Sequence, residues 1–184
     1  MSGHVEVLQV LLKYHADVKA VDRRNRTALH MASGNGQAAA ARVLLEHGAD
    51  ANAKGAGDQT PLHWAQDEGV ARVLIGYGAD TNVRDSENRT PLHRALEEEY
   101  ADVARVLLEG GADANARDYD NRTPLHLASE TGIHDVVQLL LQRGSDIHAR
   151  DGKGQTPFQV ASAYRHHDVV QLLSEHGAED RAAP

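Results

Sequence analysis

Apolar residues in this chain fall in short clusters with helical spacing, separated by polar stretches that carry glycine. The segment from Thr123 shows the pattern well. Threonine before Pro124 predicts a helix start, because its hydroxyl accepts from an unpaired backbone N–H and proline suits the first helical position. The first helix runs to about Thr131, where Gly132 breaks it. A second helix, roughly His134 to Gln142, carries the apolar series Val136, Val137, Leu139, Leu140 and Leu141. Leu139 is expected to be a buried core position. Gly144 is placed to close this helix in a left-handed conformation. The polar stretch Ser145 to Gln155, with two glycines, predicts a turn or hairpin.

This unit repeats. Thr27-Ala-Leu-His-Met-Ala-Ser33, Thr60-Pro-Leu-His-Trp-Ala-Gln66, Thr90-Pro-Leu-His-Arg-Ala-Leu96, Thr123-Pro-Leu-His-Leu-Ala-Ser129 and Thr156-Pro-Phe-Gln-Val-Ala-Ser162 are five versions of one phrase. Their threonines lie 33, 30, 33 and 33 residues apart. A fixed period of that size means stacked supersecondary units rather than one globular core. The predicted organisation is one domain, 1–184, with a half unit 1–26 followed by units 27–59, 60–89, 90–122, 123–155 and 156–184.

Together with Gly-Ala-Asp-Ala-Asn-Ala at 48–53 and 111–116, these features resemble the ankyrin repeat family, from about Gly3 to Gly177. The resemblance implies an all-α solenoid of paired antiparallel helices, with hairpin or turn loops projecting to one side of a curved array. Its repeated histidine would hydrogen-bond between neighbouring hairpins. Some eukaryotic members are hydroxylated on a hairpin asparagine, matched here by Asn52, Asn82 and Asn115, although asparagine is also a common turn residue.

The copies differ in informative places. Gly3 to Arg26 matches only a second helix and a hairpin, so the apolar Val7, Leu8 and Leu11 have no partner on their outer side. This predicts either a piece of a longer array, the favoured reading, or a frayed first helix. The 30-residue unit lacks three residues, and alignment puts the gap between Gly69 and Val70. That would remove the inter-helix turn and part of the second helix's first turn. Gly76 weakens the same helix, and the weakest point of the stack, or a change of curvature, is expected here. His15 occupies a glycine position and is expected to be strained. Glu99 replaces a helix-ending glycine, which predicts a longer first helix. At the other end Gln159, His166, His167, Gln171 and Ser174 make the last unit more polar, as a cap would be.

Composition narrows the function classes. Hydrophobic residues are 41% with one Trp and one Phe, so Leu, Val and Ala must build the core. The absence of cysteine excludes disulfides and cysteine-held metal. A net charge of −8 disfavours general nucleic-acid affinity. No stretch approaches the roughly 18 apolar residues of a membrane span, and Met-Ser-Gly-His-Val-Glu does not read as a signal peptide. An intracellular monomer, cytoplasmic or nuclear, is expected.

Twelve histidines raise the question of metal. His30, His63, His93 and His126 occupy one position in successive units, and repeats would space them roughly 8–10 Å apart. A zinc site needs its ligands about 2 Å from one ion, so structural duty is expected and no metal or cofactor is assigned. His166 and His167 are expected to be solvated. Among catalytic candidates, Glu97-Glu98-Glu99 reads as a solvated helix face, and no nucleophile or phosphate-binding motif is present.

Binding is the stronger expectation. With the threonine as zero and 100° per residue, positions 2, 5, 6 and 9 of each first helix face the second helix. Positions 4 and 7 then point to the inner, concave side. Position 4 reads Met31, Trp64, Arg94, Leu127 and Val160; position 7 reads Gly34, Asp67, Glu97, Glu130 and Ala163, with Glu68 and Glu98 adjacent. Trp64 beside Arg94 has hot-spot chemistry. Equally, Trp64 could pack on its own hairpin and Arg94 pair with Glu97 or Glu98. Arg23, Arg24, Arg26, Arg89, Arg122 and Lys153, with Tyr119, fall at the hairpin tips. Positive tips beside negative helix ends would form a striped groove. The resulting expectation is a non-catalytic module that binds a protein partner through Trp64, Arg94, Tyr119, Arg89, Arg122, Glu97, Glu68, Met31 and Leu127. The alternative is a spacer or regulatory segment of a larger multidomain protein.

Overall fold

The computed structural model describes residues 2–179, with side chains from residue 5 onward. The outer limits of the first and last units, at residues 1 and 180–184, lie outside the described residues. Helices follow in chain order: α1 Ser2–Lys13, α2 Ala28–Gly34, α3 Ala38–Glu46, then a one-turn 3₁₀ helix Pro61–Trp64, α4 Glu68–Gly76, α5 Pro91–Glu97, α6 Ala101–Glu109, α7 Pro124–Thr131, α8 His134–Gln142, α9 Pro157–Ala163 and α10 His167–Glu175. They pack in two rows. One row runs α2, Pro61–Trp64, α5, α7, α9; the other runs α1, α3, α4, α6, α8, α10. Leu29, Leu62, Leu92 and Leu125 from the first row meet Leu44, Leu74, Leu107 and Leu140 from the second in one continuous core. Among the described residues the projecting loops contain no strand, only an isolated bridge from Val21 to Thr27.

The recurring threonine caps each first helix, and its partner is the recurring histidine. Thr27, Thr60, Thr90 and Thr123 each donate their N–H to Nδ1 of the histidine three residues on, at 3.1–3.3 Å. The opposite ring nitrogen bonds the carbonyl that ends its own unit, just before the next threonine: His30 to Gln59, His63 to Arg89, His93 to Arg122 and His126 to Gln155, at 3.0–3.2 Å. Since Nδ1 accepts, Nε2 carries the proton and donates it to that carbonyl. In the last unit Gln159 replaces the histidine, and its Oε1 accepts from the Thr156 N–H at 3.1 Å. A second set of links runs through the loops. Asn52, Asn82 and Asn115 donate to the carbonyls of Gly78, Gly111 and Gly144, and accept from the N–H groups of Asp80, Asp113 and Asp146.

Several expectations need correction. The missing residues of the 30-residue unit do not come from its second helix: α4 has nine residues, as do α3, α6, α8 and α10. The loss falls on the first helix, which stops after Trp64, with Ala65 extended at φ −63°, ψ 121°. Glu99 does not lengthen its helix; α5 still ends at Glu97, and Glu99 takes the left-handed conformation, φ 61°, that Gly36 and Gly132 take in their units. His15 is left-handed as expected, φ 62°. Leu139 is only half-buried, and the fully enclosed leucine of α8 is Leu140. The outer face of α1 is bare, with Val7 60% and Leu11 53% exposed.

Candidate interaction surface

Trp64 ends the short 3₁₀ helix, half-buried, and three groups from earlier in the chain fix its ring. Its Nε1–H donates to Gln59 Oε1 at 2.8 Å. The Arg26 guanidinium lies 5.6 Å from the ring centroid, and His30 meets the ring edge-on at 6.2 Å. A Cβ added at Gly34 would come within 3.0 Å of the ring. The indole therefore seals the junction with unit 27–59, and its packing reaches beyond its own hairpin. Arg94 makes the pairs open to it on its own helix, to Glu97 and Glu98 at 3.2 Å each.

Around Glu97 the charges form a network instead of a solvated run. Its carboxylate accepts from Arg89 at 3.4 Å, Arg94 at 3.2 Å and Arg122 at 2.9 Å. Arg89 is further held by Asp85 and Glu87, and Arg122 by Asp118. Burial opposes the charge on both arginines, but these carboxylates outweigh it and hold their pKa values above the ordinary level. At Asp85, burial raises the pKa, while hydrogen bonds from Arg89 overcome it and leave a net lowering. The striped groove thus fails at Arg89 and Arg122, whose charges are spent on Asp85, Asp118 and Glu97.

Other site residues divide. Met31 is 41% and Tyr119 75% exposed, so both are open to a partner. Leu127 is 2% exposed and belongs to the core; close packing of α7 against α9 covers it, with the gain expected for a buried leucine. Val160 is buried likewise. Glu68 is not on a first helix at all. It is the first residue of α4, because Asp67 caps that helix by accepting from the N–H groups of Gly69 and Val70. It lies within 4.0 Å of Arg72. Arg23 and Arg24 stay exposed at the first tip.

Sequence reasoning missed three contributors. Arg84 and Arg117 each bridge two loop carbonyls, Arg84 those of Asn88 and Arg117, and Arg117 those of Asn121 and Arg150. Their recurrence 33 residues apart was the available signal. Tyr164 was also missed; its hydroxyl donates to Glu130 at 2.7 Å, and its ring stacks on His166. His166 is half-buried against the Glu130 carbonyl, 2.9 Å away, which corrects the expectation of a solvated pair; His167 is exposed. Tyr119, Arg122, Glu130, Lys153 and Tyr164 line a cavity of about 310 Å³.

Burial lowers the pKa of His30, His63, His93 and His126, that of His63 to about 4. Among the described residues no cluster of three or more His, Asp or Glu side chains is placed to hold a metal ion, and no helix is long and apolar enough to cross a membrane. A family model described as ankyrin repeats (3 copies) matches residues 1–85, 53–118 and 111–182.

Proposed function

Because the chain belongs to the ankyrin repeat family, whose members are generally protein–protein interaction modules and typically non-catalytic, we propose that it binds a protein partner across its first-helix row and loop tips. The row would form the concave side of one domain built from the half unit and five units. The observation that carries this reading is Trp64, a half-buried indole already immobilised by Gln59, Arg26 and Gly34, one unit away from Arg94. A rigid aromatic loses little conformational freedom on binding, which is why such groups act as anchors. Met31 and Tyr119 extend the contact along the row, and Arg89, Arg94, Arg122 and Glu97 form a braced polar floor. Glu68 and Leu127 play no part, being on α4 and in the core. An intracellular setting fits a chain without cysteine.

The test compares pull-downs by wild type and by Trp64→Ala/Arg94→Ala, then measures affinity for each recovered protein. A partner of the row should lose at least about tenfold in affinity, while circular dichroism shows the variant folded. Unchanged affinity would sink the proposal. One observation favours a second reading, a spacer or regulatory segment within a larger assembly: the exposed apolar face of α1.

A further inference from the structure

We infer that the shortened first helix of unit 60–89 opens a notch that takes one aromatic side chain from an uncharged loop of a protein partner. This rests on the binding function proposed above and specifies its central contact.

Four units carry a first helix of seven or eight residues; here a single turn, Pro61–Trp64, replaces it. The chain then runs extended through Ala65 and re-enters a helix only at the Asp67 cap. The lost turn leaves an opening of about 230 Å³ lined by Gln59, Trp64, Gln66, Arg94, Glu98 and Tyr100. That is below the roughly 300–1,000 Å³ of small-ligand pockets, and suits one inserted side chain.

The walls decide which side chain. Trp64 is locked from the side of unit 27–59 by the Gln59 hydrogen bond and the close approach of Gly34. Across the opening, Tyr100 is half-buried beside Arg94. The guanidinium is held at Nη1 and Nη2 by Glu97 and Glu98, and its buried Nε–H has no acceptor among the described residues. Within 3.5 Å the surrounding network already sets five carboxylates (Asp85, Glu87, Glu97, Glu98, Asp118) against three guanidiniums (Arg89, Arg94, Arg122). An incoming carboxylate meets that excess, and an incoming ammonium must compete with Arg94 for the same acceptors. An aromatic ring avoids both. It offers its π-face to the guanidinium and its edge to Trp64 or Tyr100.

Trp64 is the only tryptophan, so its fluorescence reports on the notch directly. The probe is a library of random linear peptides displayed on phage and selected on the full chain. Two plugged variants serve as controls: three residues inserted after Ala65, restoring the 33-residue spacing of the other units, and Gln66→Tyr, which fills the exposed rim should the insertion fail to fold. Enriched peptides should share one aromatic residue in an uncharged context and shift Trp64 emission. They should lose at least about tenfold in affinity on a folded plugged variant. Peptides without a common aromatic, equal binding to the plugged variants, or no enrichment would overturn the inference. Peptides that ignore the plugs but are lost on Tyr119→Ala would overturn the notch while leaving row binding intact.

Discussion

Thr60 donates its N–H to His63 Nδ1, and a nitrogen that accepts cannot also hold a proton. The fold therefore keeps His63 neutral, and burial lowers its pKa to about 4 from an ordinary 6.5. As pH falls, the unfolded chain takes up the proton first. The stabilisation is then complete above the unfolded value and is lost as pH falls from about 6.5 towards 4. A shift of this size is worth on the order of 3 kcal/mol. His63→Gln, copying the role of Gln159, should leave a shallower fall in Tm across that window. Equal slopes in both proteins would show that His63 does not titrate with unfolding. Packing offers a second test within α8: Leu140→Ala should cost about 2–5 kcal/mol in chemical denaturation. Leu139→Ala should cost less, because Leu139 is half-buried. A larger cost at Leu139 would contradict the placement of this helix.

Elements obeyed their sequence signals where those signals were local. The threonine cap, proline start and glycine ends of unit 123–155 placed α7 and α8 within a residue or two. Glu99 did not lengthen α5, and in unit 60–89 alignment put the gap at the inter-helix turn and second helix while folding put it in the first. The reason is burial. α4 sends Val70, Ala71, Val73 and Leu74 into the core, so a missing turn there would expose a large apolar area. The last turn of the first helix has less to bury. Asp67, counted as a surface position of that helix, was free to cap α4 instead. Gly76 remains a weak point in α4. A Cβ there would meet no atom within 4 Å, so Gly76→Ala should stabilise by up to about 1 kcal/mol. A lower Tm for that variant would mean that the last turn of α4 needs glycine for another reason.

At the scale of the whole molecule, each unit touches only its neighbours, so local weakness is felt locally. Two weak places stand out: α1, with its bare apolar face, and the extended link at 65–67, where the first-helix row is interrupted. Hydrogen exchange should show least protection in α1, next least across 65–69, and most in α6 and α8. Uniform protection from α1 to α10 would refute this order. The Arg89–Glu97 pair ties unit 60–89 to the next, and Arg122 closes on the same carboxylate.

The period, the caps and the apolar spacing were enough by themselves to determine stacked helical units, because each depends on residues a few positions apart, repeated. The paired-helix solenoid and the histidine bonds, which reach 26–29 residues along the chain, followed from the resemblance to the ankyrin repeat family. The candidate surface was only half legible. Trp64 and Arg94 could be singled out by their variation, yet sequence could not show Gly34, Gln59 and Arg26 converging on one indole, or three arginines on Glu97. Nor could it show Leu127 closing into the core or Glu68 passing to another helix. Those outcomes depend on how one unit presses on the next. Tertiary structure alone decides which side chains that pressure buries and which it leaves for a partner.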